Sequence, residues 1–124
     1  MSYETTRTAL DDRCDRYRML KGEITLLSML AIAQKAAAVR PDAAYLALSD
    51  SDQEGGGQVS AGFYTAAGEE LPGPDGDAED ALWSLCDNLG DDVRAVWEPF
   101  TAQVAGRTCL DLSAALRISG GDAS

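Results

Sequence analysis

Ile24-Thr25-Leu26-Leu27-Ser28-Met29-Leu30-Ala31-Ile32-Ala33 is the stretch whose reading decides the fold. No later segment is as long, as apolar or as helical in composition. Upstream, apolar residues recur at Leu10, Cys14, Tyr17, Leu20, Ile24, Leu27 and Ala31, a three-and-four spacing that draws one stripe along a helix. The helix is read from Thr5 to Val39. Arg40-Pro41 stops it, because the residue before proline avoids the α region. From Leu26 to Ala33 apolar side chains spread around the helix, so the C-terminal half is expected to be the more buried.

Length poses a problem. Thirty-five residues at 1.5 Å each span about 50 Å, whereas a 124-residue globule is roughly 35 Å across. The helix must break near Lys21-Gly22, project at its N-terminal end, or pair with a second copy. Glycine in a helix interior costs about 1 kcal/mol relative to alanine, which makes Gly22 the natural breaking point. A homodimer or partner contact through the N-terminal half is the favoured outcome.

Downstream elements are short and acidic. Ala43 to Leu48 reads as a strand with Ala44, Leu46 and Leu48 on one face, and Gln58 to Ala66 as a second. The polar, glycine-rich run Ser49 to Gly57 joins them as an antiparallel hairpin. Glu69-Glu70-Leu71 adds a brief return strand, and Pro72 to Gly76 is loop. Asp77 reads as an N-cap with Asp80 in the first turn, opening a helix that buries Ala81, Leu82, Leu85 and Leu89 and ends at Gly90. A short helix follows from Asp91 or Asp92, carrying Val93, Val96 and Trp97 until Pro99. Thr108 to Leu112 reads as a last strand, or else Asp111 caps a final helix through Leu116. The expectation is a single α+β domain over residues 1–119: a long N-terminal helix on a small antiparallel three-stranded sheet, with two short helices, in the order α-β-β-α-α-β. Residues 120–124 are expected to fray.

Net charge is −11, unevenly spread. Residues 1–40 carry seven basic and five acidic side chains, and residues 41–124 carry three basic and sixteen acidic ones. Direct nucleic-acid binding is disfavoured, since phosphates need a basic footprint. The acids either keep a small domain soluble or address a basic protein partner. Cys14, Cys86 and Cys109 are odd in number, widely spaced and free of any CxxC, which argues against a disulfide framework and a zinc site. All three sit among apolar neighbours and are expected to be buried, inert thiols. The apolar block is ten residues long before Gln34-Lys35, short for a bilayer span. With reduced thiols and no secretory signal pattern, a cytoplasmic location is expected.

Chemistry has little to work with. The chain has no histidine, the commonest general base near neutral pH. A carboxylate pair drawn from Asp50, Asp52, Glu69 or Glu70 could do acid–base work, but nothing in the sequence places two across a cleft. Asp50, Asp52 and Glu54, followed by Gly55, match the opening of a calcium loop, yet the twelfth position is Ala61 where a bidentate glutamate is needed. No glycine-rich phosphate loop leads into a helix, and no cofactor motif is present.

Of the two tryptophans, Trp97 falls with Val93 on an apolar face and reads as core. Trp83 lies beside the Leu82–Leu85 stripe, either at the core edge or exposed as an anchor. The strings Pro41-Asp42-Ala43-Ala44, Ser49-Asp50-Ser51-Asp52-Gln53 and Leu110-Asp111-Leu112 are similar to strings in small proteins of GC-rich bacteria and their phages. That resemblance implies no activity.

The expected function is non-enzymatic: an inhibitor, immunity factor or accessory subunit of the kind phages encode, binding a protein partner with a basic surface. Its contact residues are expected among Asp77, Asp80, Trp83, Asp87, Asp91 and Asp92. A nucleic-acid mimic that fills the groove of a DNA- or RNA-binding protein is the alternative. A divalent-metal regulator built on Asp50, Asp52 and Glu54 is the third.

Overall fold

The first helix, α1 (Tyr3–Val39), runs unbroken for 37 residues, about 55 Å. These observations come from a computed structural model that describes residues 2–50, 57–73 and 76–118. The Ser2 hydroxyl caps the start, accepting from the Thr5 N–H at 3.2 Å. At the far end the Arg40 guanidinium donates to the carbonyls of Pro72 and Gly73 at 2.8 and 2.9 Å, tying the helix exit to a loop across the fold.

The break at Gly22, one of the three outcomes the helix length allowed, does not occur. Flanking contacts hold this turn: Lys21 forms an ion pair with Asp92, and Val96 lies over Gly22. The N-terminal end projects instead. Between residues 2 and 20 every residue except Ala9 is exposed.

The face that α1 buries is also not the stripe drawn by the apolar spacing. Thr25, Ser28, Met29, Ile32, Ala33 and Ala36 are buried, while Leu20, Ile24 and Leu27 are exposed. Two polar residues disguise the buried face in the sequence. The Thr25 hydroxyl donates to the Lys21 carbonyl at 2.8 Å, and the Ser28 hydroxyl accepts from Asn88 Nδ2 at 2.9 Å. Both are thereby satisfied without water, which removes the penalty of burying them.

The sheet has five antiparallel strands, not three, in the order β3-β2-β1-β5-β4. They are β1 (Tyr45–Asp50), β2 (Gln58–Tyr64), β3 (Glu70–Leu71), β4 (Thr101–Val104) and β5 (Arg107–Asp111). β1 and β2 form the expected hairpin, pairing Leu46 with Phe63 and Asp50 with Gln58. A bulge lies between Leu46 and Leu48, opposite Gly62, whose φ of +123° suits glycine. The unexpected strand is β4. It joins β5 through Ala105-Gly106, both at positive φ (54° and 79°), with Val104 paired to Arg107. That is a two-residue hairpin of the primed kind, whose twist matches the strands.

Helices cover one face of the sheet. α2 (Gly76–Cys86) begins one residue before the expected cap, so Asp77 lies inside its first turn. A 3-10 turn, Asp91–Val93, leads into α3 (Arg94–Trp97), and a second, Glu98–Phe100, follows it. Both readings of the C-terminal segment hold in part: β5 ends at Asp111, whose carboxylate then accepts from the Ala114 N–H at 3.1 Å and caps α4 (Leu112–Leu116). The core between the helices and the sheet gathers Met29, Ile32, Leu46, Phe63, Leu82, Cys86, Leu89, Trp97 and Leu110. A small cluster of Ala47, Tyr64 and Cys109 forms on the sheet's other side. The general class is α+β, as expected. The tail 120–124 lies outside the described residues.

Candidate functional site

α2 places an indole among carboxylates. On its buried side, Ala78, Leu82 and Cys86 repeat every four residues and face the core. Residues 80, 83 and 87 follow the three-and-four spacing on the opposite side. Trp83 is accordingly exposed (56%), with Asp80 and Asp87 beside it in the helical register and Asp77 one turn before. By contrast Trp97 is 1% exposed, its indole N–H donating to the Gly90 carbonyl at 2.9 Å. The Arg94 guanidinium sits 4.7 Å from the centre of the Trp97 ring.

The acids named from the sequence divide by what they already hold. Asp87 accepts from the Gly57 N–H at 3.2 Å and fastens the start of β2. Asp91 takes two hydrogen bonds from the Arg94 guanidinium, at 2.8 and 3.3 Å. Asp92 pairs with Lys21 of α1. Asp77 and Asp80 are exposed on α2 and carry no ion pair among the described residues. Charge count alone could not have made this division, because the structural partners Gly57 and Lys21 are remote in sequence.

Two further surface features are present, of which the sequence marked only the second. A cleft of about 360 Å³ opens beside β2, β3 and the start of α2. Its apolar wall includes Leu46, Phe63, Leu71 and Leu82, and its polar groups include Ser60, Glu70 and Glu79. It offers carboxylates and one hydroxyl, with no thiol among its lining residues. The other feature is the outward stripe of α1, with Leu10, Tyr17 and Leu27 exposed at 56%, 61% and 46%.

The metal reading finds no support in what is described. Asp52 and Glu54 lie outside the described residues, and Asp50 ends β1 opposite Gln58. Among the described residues no three His, Cys, Asp or Glu side chains gather to hold an ion.

The cysteines differ from the uniform burial expected. Cys86 and Cys109 are buried, but Cys14 is exposed because its half of α1 extends past the core. Burial pushes the Cys86 thiol up to about 12. Burial also raises Cys109, against the opposing effect of the Arg107 charge.

By length and composition, α1 is long and apolar enough to cross a membrane, and a third of its most apolar window is buried within the fold. No protein-family model, no curated protein and no solved structure matches this chain.

Proposed function

We propose that this is a non-enzymatic, cytoplasmic protein-interaction module that grips a basic partner through the outer face of α2. The observation that carries the reading is Trp83, an indole more than half exposed, with Asp80 one turn before it in the helical register and Asp77 a further turn back. Tryptophan supplies large contact area at little entropic cost and is enriched where binding energy concentrates. Carboxylates around it favour a lysine- or arginine-bearing surface and speed encounter with it. The −13 net charge of residues 41–124 extends the same field over the rest of the domain.

Three of the five named acids have internal tasks, so the working contact is narrower than the charge suggests. Asp77, Asp80 and Trp83 form its centre; Asp87, Asp91 and Asp92 shape the surface and add to the field. This division favours a protein partner over nucleic-acid mimicry, since a mimic needs a long track of free carboxylates at phosphate-like spacing.

The test is a tagged pull-down from nuclease-treated lysate with the full chain, its Trp83→Ala variant and its Asp77→Asn/Asp80→Asn variant. Wild type is expected to retain a basic protein at about 0.1 M salt and lose much of it at about 0.5 M, as the screening length shrinks. Trp83→Ala is expected to lose it at both. Equal retention by all three proteins would place the contact elsewhere.

A further inference from the structure

The outer side of α1 carries an apolar stripe that no other element covers among the described residues. Its only contacts there are within the helix, Lys21 over the Tyr17 ring and Arg7 donating to the Tyr3 hydroxyl. Tyr3, Leu10, Tyr17, Leu20, Ile24 and Leu27 are all exposed. Set on a seven-residue repeat, Tyr3, Leu10, Tyr17, Ile24 and Ala31 hold the first position, and Leu20 and Leu27 the fourth. Thr6 and Arg13 complete the fourth-position row. The repeat carries on past residue 20 along the outer side of α1, away from Thr25, Met29, Ile32 and Ala36, which pack on the fold. A lone helical arm of about 18 residues is marginal in water. The ion pairs Arg7–Asp11, Arg16–Asp12 and Arg18–Asp15 are exposed, and each contributes little.

We propose that a second copy of this chain covers the stripe, the two α1 helices lying antiparallel and centred between Arg18 and Met19. Charge selects this arrangement. Arg16 and Glu23 occupy the same flank of the stripe, one repeat apart. In the antiparallel register, Leu10 meets Leu27 of the second copy and Tyr17 meets Leu20 of the second copy. Arg16 meets Glu23 of the second copy, twice by symmetry. Sliding one repeat in either direction sets Arg16 against Arg16, or Glu23 against Glu23. A parallel pair sets Arg16 against Lys21 of the second copy. Among the described residues Glu23 has no ion-pair partner within its own chain, so it is open to this contact. The Arg13 stem lies over Ile24 of the second copy, its guanidinium reaching water. Helix α2 and its tryptophan face are not part of this seam, so the inference does not depend on the partner reading above.

Sedimentation equilibrium of the full chain tests it, using wild type, Arg16→Glu, Glu23→Arg and the doubly exchanged protein. All the altered side chains are exposed, and circular dichroism checks that each variant folds. Wild type is expected at twice 13.1 kDa. Each single reversal should weaken the dimer roughly tenfold or more, since two attractive pairs become repulsive. The double exchange should restore it, and Trp83→Ala should leave the mass unchanged. A wild type that stays at 13.1 kDa at high micromolar concentration overturns the proposal, whatever Trp83-dependent partner is captured. So does a dimer that Arg16→Glu tightens, which is the parallel signature, or one that ignores all three variants.

Discussion

Gly57 lies so close to Asp87 that a Cβ at position 57 would sit 2.1 Å from the Asp87 carbonyl oxygen. The Gly57 N–H meanwhile donates to the Asp87 carboxylate. The start of β2 is therefore docked on the end of α2 by a backbone approach that only glycine permits. Gly57→Ala must push two backbones apart, and is expected to cost about 2–3 kcal/mol, read as a lower urea midpoint. Asp87→Ala removes the hydrogen bond but keeps the close approach, and should cost about 1 kcal/mol.

Gly22 predicts the opposite sign. A Cβ there would lie 3.9 Å from Val96 Cγ2, an ordinary contact. Gly22→Ala removes glycine's entropic penalty inside a continuous helix and should stabilise by about 0.5–1 kcal/mol. A destabilised variant would mean that α1 bends at this residue.

The two tryptophans should separate cleanly. Trp97→Ala empties a core position and should cost about 3–5 kcal/mol. Trp83→Ala should change stability by no more than about 0.5 kcal/mol. In wild type, acrylamide should quench the fluorescence of one indole readily and the other poorly, and Trp83→Ala should leave the poorly quenched signal.

Thiol chemistry gives a third contrast. Ellman's reagent should modify Cys14 promptly in the native protein, with Cys86 and Cys109 reacting only after unfolding. The raised Cys86 value also has a stability consequence. Its folded value of about 12 exceeds its ordinary value of 9.0, so the folded chain keeps a proton that the unfolded chain releases. The stabilisation is complete below pH 9 and is lost progressively as pH rises from there towards 12. Denaturant titrations in that window should show a shallower loss in Cys86→Ala than in wild type.

What could be read from the sequence followed from strong local signals. Arg40-Pro41 ended α1 at Val39, the glycine-rich run joined β1 to β2 as a hairpin, and Val93 with Trp97 marked a buried face. β4 escaped because Thr101–Val104 is four residues long and follows Pro99, and because Ala105 occupies a positive-φ position that normally announces itself with glycine or asparagine. The orientation of α1 escaped for another reason. Periodicity identifies an apolar face but not what it meets, and the stripe from Leu10 to Leu27 gave no sign that Thr25 and Ser28 lie on the buried side. Thr25 and Ser28 took that role only because Lys21 and Asn88 satisfy their hydroxyls. At the candidate site, spacing placed Trp83 beside acids. Which acids were already engaged depended on Gly57 and Lys21, contacts that exist only after folding.

The most direct measurement is amide hydrogen exchange of the full chain, alone and with the partner retained from lysate. New protection is expected at residues 76–86, strongest around Trp83, with the exchange of residues 7–20 unaltered by the partner. Protection that appears on α1 or on β4 and leaves α2 unchanged would contradict the assignment of α2 as the binding face.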